Sequence, residues 1–121
     1  MQVSFYKYQG TANDLIMIDN REGKINLTNK QVKRLCERHT GIGADGLILI
    51  LNVPGADFEM VYYNADGNPG SMCGNGGRCA IKFADLIGIK KNTYNFRAMD
   101  GMHEARVEED GWVYLKMNDV H

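Results

Sequence analysis

Ser71-Met72-Cys73-Gly74-Asn75-Gly76-Gly77-Arg78-Cys79 runs directly into Ala80-Ile81-Lys82-Phe83-Ala84-Asp85-Leu86-Ile87-Gly88. In the second stretch Ala80, Ile81, Phe83, Ala84 and Ile87 form a broad apolar face, while Arg78, Lys82 and Asp85 share one polar stripe. That pattern predicts a helix buried over most of its circumference. Gly88 is its expected stop. The glycine-rich stretch is then the entry to the helix.

Working outward, Val3-Ser4-Phe5-Tyr6-Lys7-Tyr8 and Leu15-Ile16-Met17-Ile18-Asp19 read as strands, joined by the turn-rich connector 9–14. Thr28 and Gln31 fit a capping box, and Leu27 with Val32 fits a hydrophobic staple, so a helix starts at Thr28. Val32, Leu35, Cys36 and His39 recur along one face, and Gly41 and Gly43 lie beyond its end. Leu47-Ile48-Leu49-Ile50-Leu51 fits a strand buried on both faces, and Phe58 to Tyr63 is its partner across the Pro54-Gly55 turn. Residues 64–70 read as loop. From Tyr94 onward, Asp100-Gly101 and Asp110-Gly111 separate three strand-like runs, which predicts successive hairpins. Many strands with two helices make an α+β domain with a mostly antiparallel or mixed sheet.

At 121 residues the chain has the size of one domain, and 44% hydrophobic with 24% charged residues is ordinary for a folded globular protein. Fourteen Lys plus Arg against fifteen Asp plus Glu, without a long run of either sign, offer no nucleic-acid or acidic-lipid surface. No apolar stretch approaches the roughly 18 to 20 residues of a membrane span, and the start lacks a signal peptide's pattern, so the expected location is the cytoplasm. Cys36, Cys73 and Cys79 are too few and too odd in number for a disulfide scaffold. Reduced thiols follow, and a special cysteine would be chemical.

Cys73 is the candidate. It stands among glycines at the leading edge of the apolar helix, where unpaired backbone N–H groups and about half a positive charge stabilise an anion. Thiols in such settings have pKa values lowered from about 8.5 to roughly 3.5 to 7.5. Gly74, Gly76 and Gly77 leave room for a ligand's carboxylate to reach the same N–H groups. Against this stands the common behaviour of cysteine as a small buried hydrophobe, the reading given to Cys36 and Cys79. A phosphate cradle is disfavoured, because neither the P-loop ending nor the Rossmann glycine spacing is present. Zinc bound by Cys36, His39, Cys73 and Cys79 is disfavoured by the wide Cys73–Cys79 spacing.

Met72-Cys73-Gly74-Asn75-Gly76-Gly77-Arg78-Cys79 resembles the first active-site motif of the diaminopimelate epimerase family. Three further segments agree with that family in order along the chain. These are Tyr8-Gln9-Gly10-Thr11-Ala12-Asn13-Asp14-Leu15, Arg38-His39-Thr40-Gly41-Ile42-Gly43-Ala44-Asp45-Gly46 and Tyr63-Asn64-Ala65-Asp66-Gly67. The resemblance implies a curved mixed or antiparallel sheet wrapped around a central helix, as one of two pseudo-symmetric domains. It implies epimerisation of LL-diaminopimelate to meso-diaminopimelate, a precursor of lysine and peptidoglycan, with no pyridoxal phosphate, metal or other cofactor. One cysteine thiolate removes the α-proton and a second thiol delivers a proton to the opposite face.

Carried onto this sequence, the resemblance makes Cys73 an acid/base catalyst. Gly74 and Asn75 become N–H donors, and Asn13 and Asn64 hold polar groups of the amino-acid substrate. Without it, both asparagines are ordinary turn residues. Two departures stand out. Many family members carry Gln where this chain has Gly46, and the family's second domain, with its partner cysteine, does not follow His121. The expectation is therefore that residues 1–121 are the amino-terminal domain of a two-domain epimerase. Its partner is the missing carboxy-terminal domain, and a homodimer is allowed. The competing readings are another racemase or isomerase of this fold, a non-catalytic carboxylate-binding module and a Cys73–Cys79 redox pair.

Overall fold

The computed structural model describes residues 5–9, 14–38, 41, 43–70, 74–109, 111 and 113–116, with the backbone alone for 9, 74, 75 and 116. In chain order the elements are β1 (Phe5–Gln9), β2 (Asp14–Asp19), α1 (Asn29–Cys36), β3 (Gly46–Leu51), β4 (Phe58–Asn64), α2 (Gly74–Leu86), β5 (Thr93–Ala98), β6 (Gly101–Val107) and β7 (Val113–Lys116). The strands form one sheet in sequential order from β1 to β7. Pairing is antiparallel except where a helix intervenes, at β2–β3 and β4–β5. The expected α+β mixed sheet is present. The three runs after residue 92 form the two expected hairpins, Ala98 pairing with Gly101 and Val107 with Val113.

The two crossovers explain where the helices lie. Both advance the chain in the same lateral direction, but β4 and β5 point opposite to β2 and β3. Right-handed crossovers must then place α1 and α2 on opposite faces of the sheet. Two separate cores result. On one face Val32 and Cys36 of α1 pack with Ile16, Ile18, Ala44, Leu47 and Leu49. On the other, Ala80, Ile81, Phe83 and Ala84 of α2 pack with Leu15, Met17, Ile48, Ile50, Phe58, Met60, Tyr94 and Phe96. β2 and β3, covered on both faces, are therefore almost wholly apolar, as the run 47–51 requires.

Local signals hold at both helices. Thr28 accepts the Gln31 amide at 3.1 Å and the Gln31 side chain accepts the Thr28 amide at 2.8 Å, completing the capping box. At the end of α2, Gly88 sits at φ 102°, and the Gly88 and Ile89 amides donate to Asp85 and Ala84. This is the double closure that a left-handed glycine permits. One expectation needs revision, since 64–70 is not all loop. β4 runs on to Asn64, Pro69 bridges to Tyr63, and the Gly70 amide donates to Tyr62 at 2.9 Å.

Candidate functional site

A crossover helix runs antiparallel to the strands it joins, so α2 points along β2 and β3. Its carboxy end is pinned just beyond β2 by Arg21, whose guanidinium donates to the Ile87 carbonyl at 3.0 Å. Toward the start of β2, Tyr8 packs edge-on to Phe83 with centroids 6.1 Å apart. A 13-residue helix is about 20 Å long, similar to a six-residue strand. The amino terminus of α2 therefore lies at the end of the sheet where β2 and β3 begin and β4 finishes.

Leu15, Gly46 and Asn64 stand level there, because Gly46 is registered with Leu15 of β2 and Asn64 of β4. Alternation along β4 puts Phe58, Met60, Tyr62 and Asn64 on the α2 face. The first two are buried, Tyr62 is half-buried and Asn64 is exposed. The α2 core thus opens at this end onto a polar rim. Asn64 is fixed by its backbone, its amide donating to Asn68 and its carbonyl accepting from Gly67, both at 2.9 Å. Its side chain fills the space beside Gly70, where an added Cβ would fall 2.8 Å from Nδ2.

The first turn of α2, with Gly74 and Asn75, reaches the same end, while Gly76 and Gly77 are buried in its wall. Cys73 and Asn13 lie outside the described residues. The residues flanking them, Gly74 and Asp14, bound the rim. The other two cysteines take the structural places expected for them. Cys36 is buried in the α1 core, where burial first and the Asp45 carboxylate second push its thiol up. Cys79 is buried in the α2 core. The sheet separates the two, so they cannot ligate one ion.

Two features carried no role in the sequence reading. Asp45 ties the mouths of β2 and β3 together, accepting the Asp14 amide through Oδ2. The Tyr62 ring leans over Gly46, where a Cβ would meet its Oη at 2.9 Å and the Tyr63 carbonyl at 2.8 Å. The glycine was the available signal for the second, since a missing side chain in a strand marks a close approach. A groove of about 420 Å3 opens at the other end of β2, between Asp19, Arg21, Lys24 and Asn52. Its polar groups are absorbed structurally: Arg21 grips Asp19 at 2.8 and 2.9 Å, and Asn20 closes on Ile25. Among the described residues no helix is long and apolar enough to cross a membrane.

Residues 5–121 match the sequence profile of the family described as Diaminopimelate epimerase. A diaminopimelate epimerase of Flavobacterium psychrophilum is 51% identical over 122 residues, covering 98% of this chain and 46% of the relative. One of Chlorobaculum tepidum is 56% identical over 110 residues, covering 89% and 43%. The chain thus spans a little under half the length of these relatives. Among solved structures, a methylitaconate-delta-isomerase superposes with a TM-score of 0.68 at 16% identity, covering 93% of this chain and 62% of that one. A PhzF-family phenazine biosynthesis protein of Bacillus anthracis gives 0.63 at 19%, covering 93% and 38%. At such identities these two establish the fold alone. The profile match over nearly the whole length, together with the sheet wrapped around α2, places this chain in the diaminopimelate epimerase family.

Proposed function

We propose that this chain is the amino-terminal half of a cofactor-independent epimerase that interconverts LL- and meso-diaminopimelate, and that Cys73 is one of its two acid/base groups. The observation that supports this most directly is the meeting of α2's amino terminus with Asn64 and the Asp14–Gly46 mouth at one rim. Helix N–H groups there favour a thiolate at the preceding residue and a substrate carboxylate beside it. Gly74 and Asn75 contribute those donors, and Asn13 and Asn64 hold the substrate's polar groups.

Inversion balances simply. A thiolate takes the α-proton, and the electron pair of the broken C–H bond stays on the α-carbon, conjugated with the carboxylate. A thiol on the opposite face then protonates that carbon and becomes the thiolate. Base and acid must stand on opposite faces, each with a pKa near the working pH, and the carbanion needs oriented dipoles, which helix amino termini supply. One half-site carries one such thiol, so the partner is the carboxy-terminal half by which the relatives exceed this chain. The setting we infer is the cytoplasm, where thiols stay reduced.

The test is turnover in heavy water. The full-length enzyme, or this chain reconstituted with the carboxy-terminal half, incorporates solvent deuterium at the inverted carbon, and Cys73→Ala stops it. Residues 1–121 alone give no measurable turnover, because loss of one positioned acid or base costs about 10² to 10⁴ in rate and loss of the enclosing half removes orientation as well. Robust inversion by the Cys73→Ala enzyme would refute the assignment.

A further inference from the structure

Asn64 ends β4 and opens a turn that folds back on that strand. Its amide donates to the Asn68 carbonyl and its carbonyl accepts the Gly67 amide, while the Gly70 amide returns to the Tyr62 carbonyl, each at 2.9 Å. The Asn68 amide also donates to Asp66 Oδ1 at 2.9 Å, and Pro69 bridges to Tyr63. Gly70 is thus tied by backbone bonds to the strand that carries Asn64. A Cβ on Gly70 would have as its three nearest atoms Asn64 Nδ2, Oδ1 and Cγ, at 2.8, 3.0 and 3.1 Å, all inside the ordinary contact range that begins at 3.4 Å. At Gly41 and Gly67 the obstacle is backbone instead, at 2.1 and 2.0 Å. Gly70 also lacks the positive φ that Gly67 has at 92°, so its backbone conformation does not require glycine. What the position supplies is room. Because the turn is bonded back on β4, a side chain at 70 has no retreat, and the carboxamide at the exposed end of a short side chain is the group that gives way.

We propose that Gly70 is a positioning residue, whose missing side chain lets the Asn64 carboxamide stand where it meets the amino-acid substrate. This rests on the epimerase reading, in which Asn64 holds polar groups of the substrate, and adds to it the residue that sets that group's orientation. A carboxamide carries an acceptor oxygen and an NH2 donor side by side. It can meet the ammonium and the carboxylate of an amino acid only when it is turned correctly toward them. A methyl group at 70 occupies the carboxamide's place and turns it out toward solvent, a movement that costs the fold little and the site much.

The experiment is a double-mutant cycle in the full-length enzyme, with Gly70→Ala, Asn64→Ala and the two together. Gly70→Ala raises KM for diaminopimelate about 10-fold or more, as loss of a hydrogen bond to a charged group implies, while kcat is largely kept and the thermal midpoint is not lowered. Asn64→Ala raises KM at least as far, and adding Gly70→Ala to it changes nothing further, because the displaced group is already gone. A wild-type KM in the Gly70→Ala enzyme would overturn the inference and leave the epimerase reading standing. So would a Gly70→Ala effect that persists undiminished in the Asn64→Ala background, or a KM that Asn64→Ala leaves unchanged. A fall in kcat with a lower thermal midpoint, without a KM effect, would overturn it in favour of packing. A full-length wild-type enzyme without epimerase turnover would overturn both.

Discussion

Asp45 and Asp14 hold each other through two reciprocal bonds, the Asp14 amide donating to Asp45 Oδ2 and the Asp45 amide to the Asp14 carbonyl, each at 2.8 Å. Arg38 reaches both carboxylates, at 3.2 Å to Asp45 and 3.7 Å to Asp14, and Lys7 stands 3.9 Å from Asp14. Parallel strands have no hairpin to set their start, and this pair does so for β2 and β3. Asp45→Ala leaves the Asp14 amide without that acceptor and lowers stability by about 1 to 3 kcal/mol. Asp45→Asn keeps an oxygen and recovers most of it. Urea unfolding of the two variants checks this, and an Asp45→Ala midpoint equal to wild type would count against it.

Gly67 and Gly23 both have positive φ, at 92° and 71°. A Cβ on Gly23 meets nothing within 4 Å, whereas one on Gly67 would lie 2.0 Å from the Asn29 carbonyl oxygen at the start of α1. The left-handed strain of alanine, about 1 kcal/mol, is common to both sites. Gly67→Ala should therefore lower the thermal midpoint by clearly more than Gly23→Ala. Comparable midpoints would mean that the turn at 64–67 does not press on α1.

Among the thiols, Cys36 is 4% exposed and its pKa is pushed up by burial, and Cys79 is 7% exposed. Both should resist iodoacetamide near neutral pH until the chain opens, while Cys73, at a helix entry, is labelled first. Peptide mapping of a time course decides it. Equal labelling of Cys36 and Cys73 in the folded chain would remove the physical ground for a thiolate at Cys73.

Acid should act in part through Asp57 and in part through Asp19, whose carboxyl is pushed up by burial but held below its ordinary value by Arg21. At Asp57 burial pushes the carboxyl up, but the Lys91 ammonium and the Asn95 amide, 2.7 Å from Oδ2, together outweigh burial and hold it below its ordinary value. With the folded pKa below the unfolded one, the stabilisation is complete above the unfolded carboxyl range, about pH 4, and is lost as pH falls through the folded value. Asp57→Asn should flatten the acid limb of the stability profile and leave the limb above neutrality unchanged. An unaltered acid limb would assign acid sensitivity to other carboxylates.

What the sequence made legible divides along physical lines. Local chemistry was readable: the Thr28–Gln31 cap, the Gly88 stop, the two Asp-Gly hairpins and the apolar run at β3 all rest on neighbours in the chain. The crossing of Tyr62 onto Gly46 and the clasp of Asp45 on Asp14 were not, because each joins strands brought together only by the sheet. Asn64 could be read as a turn residue without the resemblance, and its backbone does close that turn while its side chain lies exposed beside Gly70. The separation of Cys36 from Cys79 also needed the fold, since only the opposed crossovers put a sheet between them.

The β4–β5 pairing is registered at just two positions, Phe58 with Phe96 and Glu59 with Arg97, while its neighbours carry four to six. Beyond Glu59 the strands splay around a cleft of about 340 Å3, and β4 bonds to Gly70 instead. A stacked Phe58–Phe96 pair, centroids 5.1 Å apart, and the Asp57 clamp hold the rest of the joint. The backbone joint is short, and the single α2 core, which packs Tyr94 and Phe96 together with Leu15 and Met60, bridges it. β5 amides should lose exchange protection before those of β2 and β3, which are paired on both sides over five or six positions. α2 thus does the joining that backbone pairing between β4 and β5 does not.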